Sequence, residues 1–394
     1  MNNNYNNPKD IDIVSLRRKR KRRRQLTKFM VFLIVATLGF TAYIKIDDWF
    51  PKLEGIGSRF QSVKSNNNEL TEGNFPLSIS GGIDYQVGEL NGYLAILSDA
   101  YLYIYNQDGE LYDERQHAYA NPMLQTADKK VLIYESGGNN FRVDSRRKNL
   151  YNKKLDNTIM FARISSSGNV AVISTSDTYL CKLTVFDEEG VEIYSRNCVE
   201  RVIDVSFSYD EKGCVLATTD ALNGKLISKL IGISFDSKED KWTSDSIDTL
   251  CLKTYCDKNG IFVIGETKCA YYNDKGQQEM NYDYPSTLVD WDYCDLGAAL
   301  LFENEKKRHS YFTTISSAKK TPNQKEFSNS SVKCIGFKDK NVLVMNKEGI
   351  NKYGFDGSEE TNISSENSYE KFFIIDDYIF LLGYDRINRI EYQD

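Results

Sequence analysis

The chain has 394 residues, 27% of them charged and 12% aromatic, with a formal net charge of −6. Beyond residue 28 it keeps 40 Lys and Arg against 54 Asp and Glu, so this larger part is acidic, near −14, and repels nucleic acid and other polyanions. Only two histidines occur, His117 and His309, both read as loop residues, which leaves little for a zinc site, a Ser-His-Asp triad or a Cys-His dyad.

Residues 1–10 (MNNNYNNPKD) are Asn-rich, and 1–28 as a whole read as a disordered basic tail. Eight consecutive basic residues, Arg17 to Arg24 (RRKRKRRR), precede an uncharged apolar stretch from Phe29 to Ile44. That stretch is shorter than the ~20 residues that span a bilayer core. Leu26, Ile46, Trp49 and Phe50 extend it, and Lys28 and Lys45 reach the two interfaces with their ammonium groups. Residues 29–46 are therefore expected to form a transmembrane helix, and the positive-inside rule keeps the tail cytoplasmic. No Ala-x-Ala cleavage pattern follows and Thr37-Leu38-Gly39 fits one poorly, so the helix is expected to stay as an anchor. The partners implied here are the membrane, through 29–46, and anionic lipid headgroups, through Arg17–Arg24. Residues 47–74, with Gly55, Gly57 and Ser65-Asn66-Asn67-Asn68, read as a linker.

From residue 75 to 394 short alternating runs rich in Tyr, Ile, Val and Phe are punctuated by Gly, Asn and Asp, the pattern of an all-β domain. One hairpin recurs: an aromatic residue, then Asn or Asp, then a turn usually closed by Gly. It appears at Tyr105 to Gly109, Phe186 to Gly190, Phe235-Asp236, Tyr272 to Gly276 and Phe355 to Gly357, with degenerate copies near Val143-Asp144 and Ile315-Ser316. The Asx side chain stabilises such a turn and Gly accepts the positive φ of a bulged hairpin. The period is about 40 residues, the length of one four-stranded propeller blade. A second recurrence, before Val170, Val215 and Phe262, marks an innermost strand turning into the second strand of its blade. Repeats start near 83, 117, 158, 200, 250, 286, 330 and 369, giving an eight-bladed β-propeller, or a seven-bladed one if two weak repeats merge. The last repeat has room for three strands, near 372–375, 378–384 and 389–393, and a strand at 75–80 would complete it and close the ring.

The stretches Leu97-Ser98-Asp99 with Leu102 to Tyr105, Ala120-Asn121-Pro122, Leu132 to Tyr134 with Ser136-Gly137-Gly138, and Val170 to Ile173 carry a resemblance. In general terms the chain resembles WD-repeat and quinoprotein-like propellers, without their Trp-Asp or tryptophan-docking signatures. More closely it resembles a bacterial domain-of-unknown-function family of membrane-anchored, exported propeller-like proteins. The resemblance covers about residues 75–394, is strongest before residue 200, and implies a single-pass protein with an exported propeller but no activity.

Candidate chemistry is sparse. Asp290 and Asp292 alternate with Val289, Trp291 and Tyr293 and would share one face of an innermost strand, the central channel, with Asp204 at a comparable position. Such carboxylates would suit a glycoside hydrolase, or else solvate the channel and bond neighbouring backbone. No Gly-rich phosphate loop, calcium loop or metal-ligand spacing occurs, and no cofactor is implied. All eight cysteines follow the apolar stretch; Cys181 and Cys198 flank one hairpin, which leaves a single bridge open, and the others read as buried thiols. Loops joining second to third strands share one propeller face with the blade connectors, and there lie Asp99, Gly137, Gly138, Asn139, Asp177, Glu266 and residues 304–308. The expectation is a non-enzymatic scaffold on the membrane, its propeller outside the cytoplasm, binding an envelope protein or glycan. The alternative is an exported polysaccharide hydrolase or lyase.

Overall fold

The computed structural model describes residues 74–79, 85–304, 309–316, 322–327, 332–364 and 368–392, with residues 30, 33, 34 and 37 of the N-terminal segment. The chain divides into two compact units, 1–61 and 62–394. In the first, Met30, Leu33, Ile34 and Thr37 are helical, and Thr37 Oγ1 donates to the Ile34 carbonyl at 2.9 Å. Among the described residues no helix is long and apolar enough to cross a membrane. The basic run, the linker up to residue 73 and the rest of the expected span at 29–46 lie outside the described residues.

In the second unit the described strands form eight four-stranded antiparallel sheets. Blades 1 to 7 cover 86–116, 122–154, 159–198, 201–243, 251–283, 287–327 and 334–364, within a few residues of the repeat starts read from the sequence. Eight separate sheets leave no merged pair, so the seven-bladed alternative falls. Blade 8 takes three strands from 369–391, and Leu77–Ser78 supplies its outermost one, with Leu77 facing Ile387 and Ser78 facing Arg386. The final strand runs Arg386–Glu391, three residues earlier than the pattern suggests. Buried polar residues hid it: Asn388 donates to Tyr369 Oη at 3.0 Å, and Arg389 stacks on Tyr378.

A strand's place in its blade dictates its pattern. Second strands such as Tyr93–Leu97 (YLAIL), Val170–Ser174 (VAVIS) and Gly260–Gly265 (GIFVIG) are buried throughout, because neighbouring blades cover both faces. The outermost Leu111–Gln116 alternates with solvent instead. The core consists of eight apolar clusters, each shared by two adjacent blades. The one joining blade 8 to blade 1 contains Leu77, Ile79, Leu94, Ile96, Ile375, Phe380, Leu382 and Ile387, and it closes the ring.

The recurring hairpin joins third to fourth strands. Asn106 Oδ1 accepts from Asp108 N at 3.0 Å and Glu110 N at 2.8 Å, and Asp187 Oδ1 accepts from Glu189 N at 3.0 Å and Val191 N at 2.8 Å. Gly109, Gly190, Gly276 and Gly357 hold φ between 74° and 83°, and a register shift follows in each hairpin, as a bulged turn requires.

Candidate functional site

The innermost strand of a propeller blade is an edge strand whose unpaired backbone groups would otherwise face the channel. Here side chains from one blade's inner strand pair the backbone of the next. Gln86 does so in blade 1, its Oε1 accepting from Leu124 N and its Nε2 donating to Pro122 O, both at 2.9 Å. In blade 4, Asp204 Oδ2 accepts from Thr254 N at 2.8 Å and Thr254 Oγ1 at 3.0 Å, while Ser206 Oγ donates to Thr254 O at 2.6 Å. In blade 6, Asp290 Oδ2 accepts from Ile335 N at 3.0 Å and Asp292 Oδ2 from Phe337 N at 2.7 Å.

Asp204 also receives Arg163 from blade 3, through Nε at 3.0 Å and Nη2 at 2.8 Å, and Lys253 from blade 5 at 3.5 Å. Burial pulls Lys253 below the usual lysine range, against the attraction of Asp204. Burial pushes the Asp290 and Asp292 carboxyls above the usual carboxylate range, opposed by the backbone N–H groups they accept. The three carboxylates thus occupy comparable inner-strand positions, and each is directed at the neighbouring blade's backbone. Among the described residues no group of three or more His, Cys, Asp or Glu could hold a metal ion.

The opposite kind of surface lies where blade connectors and second-to-third-strand turns emerge. Asp99, Gly137, Asp177 and Glu266 are exposed there, in the turns of blades 1, 2, 3 and 5. Gly138 and Asn139 are half-buried and serve the fold. Gly138 O accepts from Ile159 N at 2.6 Å, and Asn139 Nδ2 donates to Leu155 O at 3.1 Å, which ties blade 2 to the start of blade 3. Residues 305–308 lie outside the described residues. His117 does sit in a connector, whereas His309 opens the strand His309–Ile315.

Inner-strand bulges at this same end escape a reading by alternation. Register shifts fall between Ile159 and Phe161, Val202 and Asp204, Cys251 and Lys253, and Leu288 and Asp290. The extra residues are Met160, Ile203, Leu252 and Val289, one in each of blades 3 to 6. A bulge leaves its extra residue unpaired and re-aims its side chain. Met160, Leu252 and Val289 are 40%, 36% and 46% exposed, and Ile203 is half-buried. On the same arc lie exposed Tyr179 and Leu180 in the blade 3 turn, Val199 in the following connector, and Leu222 and Leu226 on the long blade 4 hairpin. The bulge of blade 8 supplies Glu370 instead, paired with Lys333 at 3.2 Å, so the apolar bulge residues belong to blades 3 to 6, although exposed Tyr384 lies on the same face in the blade 8 turn. The available signal was an apolar residue breaking alternation, as in Leu288-Val289-Asp290.

Residues 73–391 match the model of a family of unknown function, DUF5711, and the chain belongs to that family. No curated protein matches it. Solved structures with a similar fold include BamB from Moraxella catarrhalis, at 10% identity and TM-score 0.56 over 82% of this chain and all of that one. Sqt1 of Saccharomyces cerevisiae aligns at 10% identity and TM-score 0.59, over 84% of this chain and all of its own. The C-terminal WD40 domain of Sif2 aligns at 10% identity and TM-score 0.60 with the same coverage. At this identity the likeness establishes the β-propeller fold and nothing more.

Proposed function

We propose that this member of the DUF5711 family is a non-enzymatic, single-pass membrane protein that displays its propeller outside the cytoplasm as a scaffold for a protein partner. The observation that carries the reading is the apolar arc of blades 3 to 6. Four successive inner strands carry a bulge near the same end; the bulge residues Met160, Leu252 and Val289 are exposed apolar side chains, while Ile203 packs against the core between blades 4 and 5. Rigid blades hold these side chains in place, and exposed apolar groups gathered on one face favour contact with another apolar surface. Asp177 and Glu266 stand exposed on the same face, which suits a partner segment with aliphatic residues flanked by basic ones.

The basic run ahead of residues 29–46 supports a cytoplasmic N-terminus and an anchor held against anionic lipid. A polysaccharide hydrolase built on Asp204, Asp290 and Asp292 has less support, since backbone N–H groups of the next blade occupy oxygens of all three. The test places a photo-crosslinking residue at 252 or 289 in the full-length protein within intact cells, and at 108 on the opposite face as comparison. A discrete protein adduct from 252 and 289 that is absent from 108 supports the reading. Equal adducts from all three positions, or none, remove it. External protease on the same cells should digest the propeller and spare an N-terminal tag; a digested tag would reverse the orientation.

A further inference from the structure

Cys181 opens the third strand of blade 3 (Cys181–Phe186) and Cys198 ends the fourth (Glu192–Cys198), and the two face each other directly across the strands. Facing residues of antiparallel neighbours have Cα atoms about 4.5–5.5 Å apart, inside the ~4.4–6.8 Å range that a disulfide spans. The two side chains influence each other's acidity directly across the ladder. No such partner faces the remaining thiols: Cys214 is opposite Ile233, Cys251 opposite Gly265, Cys256 opposite Ile261, Cys269 opposite Tyr282, Cys294 opposite Gly297 and Cys334 opposite Met345. We propose that Cys181 and Cys198 form a cross-strand disulfide, the one cysteine pair of this propeller built to be oxidised.

The surroundings give the two sulfurs different parts. Arg196 Nη1 donates to Cys198 Sγ at 3.3 Å, and Cys181 Sγ donates to Glu200 O at 3.6 Å. The hydrogen bond from Cys198 holds the Cys181 thiol down at about 7 despite burial, while the same contact and burial push Cys198 far up. The first proton lost from the pair therefore leaves a thiolate beside the thiol that remains. Both sulfurs are buried, but their neighbours Leu180 and Val199 are 56% and 67% exposed, so the pair sits at the open end of its hairpin, where strands fray first.

The oxidant is a disulfide, either a small molecule or a protein. Cys181 thiolate attacks one of its sulfurs, forming a mixed disulfide and releasing the first thiolate. Cys198 then loses its proton, attacks the Cys181 sulfur, and expels the second. One S–S bond is formed and one broken; two protein thiols are oxidised as the donor is reduced to two thiols, which take up the two protons.

The test equilibrates the full-length protein in detergent with glutathione and glutathione disulfide at pH 8 over a series of ratios. Samples are then unfolded, alkylated with N-ethylmaleimide and digested with trypsin. As the disulfide fraction rises, Cys181 and Cys198 should lose alkylation together, and peptide 164–182 should appear joined to 197–201, two hydrogens lighter than the separate pair. The other six cysteines should stay alkylated, and Cys181→Ser should leave Cys198 alkylated at every ratio. Refolding from urea in the same buffers removes access to the buried sulfurs as a restriction. Full alkylation of both after refolding, glutathione persisting on Cys181 without resolution, or a link from Cys198 to Cys214 would each overturn the proposal.

Discussion

Asp204 holds two cationic side chains and a backbone N–H at once, from the two neighbouring blades. Its carboxylate is fully buried, whereas Arg163 and Lys253 keep partial contact with solvent. Replacing it by Ala leaves two partly buried cations facing each other without a counter-charge, a loss of about 3–5 kcal/mol by the behaviour of broken buried pairs. Asp292→Ala removes only a carboxylate that accepts backbone N–H groups and should cost about 1–3 kcal/mol. Urea unfolding of the two variants checks the order, and equal losses would contradict it. His117 adds a pH dependence. Nε2 lies 3.1 Å from the Ser98 carbonyl and Nδ1 accepts from Tyr119 N at 3.4 Å, an arrangement that suits a neutral ring protonated at Nε2. Burial holds this imidazole below the ordinary value of 6.5. The unfolded chain thus takes up the proton first, so the stabilisation is complete above pH 6.5 and is lost as pH falls through the lower folded value. His117→Gln should flatten that acid slope in denaturation midpoints measured from pH 7.5 to 5.

Among the elements, hairpins are legible in sequence and inter-blade contacts are not. An Asx residue and a glycine a few positions on define a bulged turn from local chemistry alone, which is why Asn106 to Gly109 and Asn273 to Gly276 announce themselves. The partner of Asp290 lies 45 residues ahead and that of Asp204 lies 50 ahead, so alternation places these carboxylates on the inner ring without saying what they bond. The bulge residues are hidden for a related reason: an extra residue in a strand looks like imperfect alternation until the register of its neighbour is known. The turn glycines differ among themselves in what lies beside them. A Cβ on Gly276 would run into the Trp242 ring of blade 4, whereas the nearest side-chain atom to one on Gly357 is Lys325 Cβ at 3.8 Å. Both Ala substitutions bear the strain of positive φ, about 1–2 kcal/mol. Gly276→Ala should lose a further ~1–3 kcal/mol from overpacking. Denaturation of the two variants side by side reads the difference, and Gly357→Ala as the weaker protein would refute the contact.

At the scale of the whole molecule the repeat count and the missing fourth strand of blade 8 predict a closed ring, and both follow from spacing that survives in degenerate copies. Closure then has a physical consequence. Leu77 and Ile79 are buried in the cluster between blades 8 and 1, and Phe75 packs on Phe380 and beneath the Arg389 guanidinium. Arg389 in turn pairs with Asp108 at 3.1 Å, and Asn74 N donates to Asp108 O at 2.8 Å, so the first and last strands of the propeller meet on one turn of blade 1. Removing residues 74–79 exposes the edge of Arg386–Glu391 and takes away two buried aliphatic side chains, about 3–6 kcal/mol at ~1.5–3 kcal/mol each. Because each cluster is shared by two blades, that loss should not stay in blade 8. Thermal unfolding of the truncated protein should remain a single transition at a markedly lower midpoint, and a synthetic peptide covering 72–82 should raise it again by adding the strand in trans. An unchanged main transition with only early fraying would mean that blade 8 is held independently and that the ring does not depend on this strand.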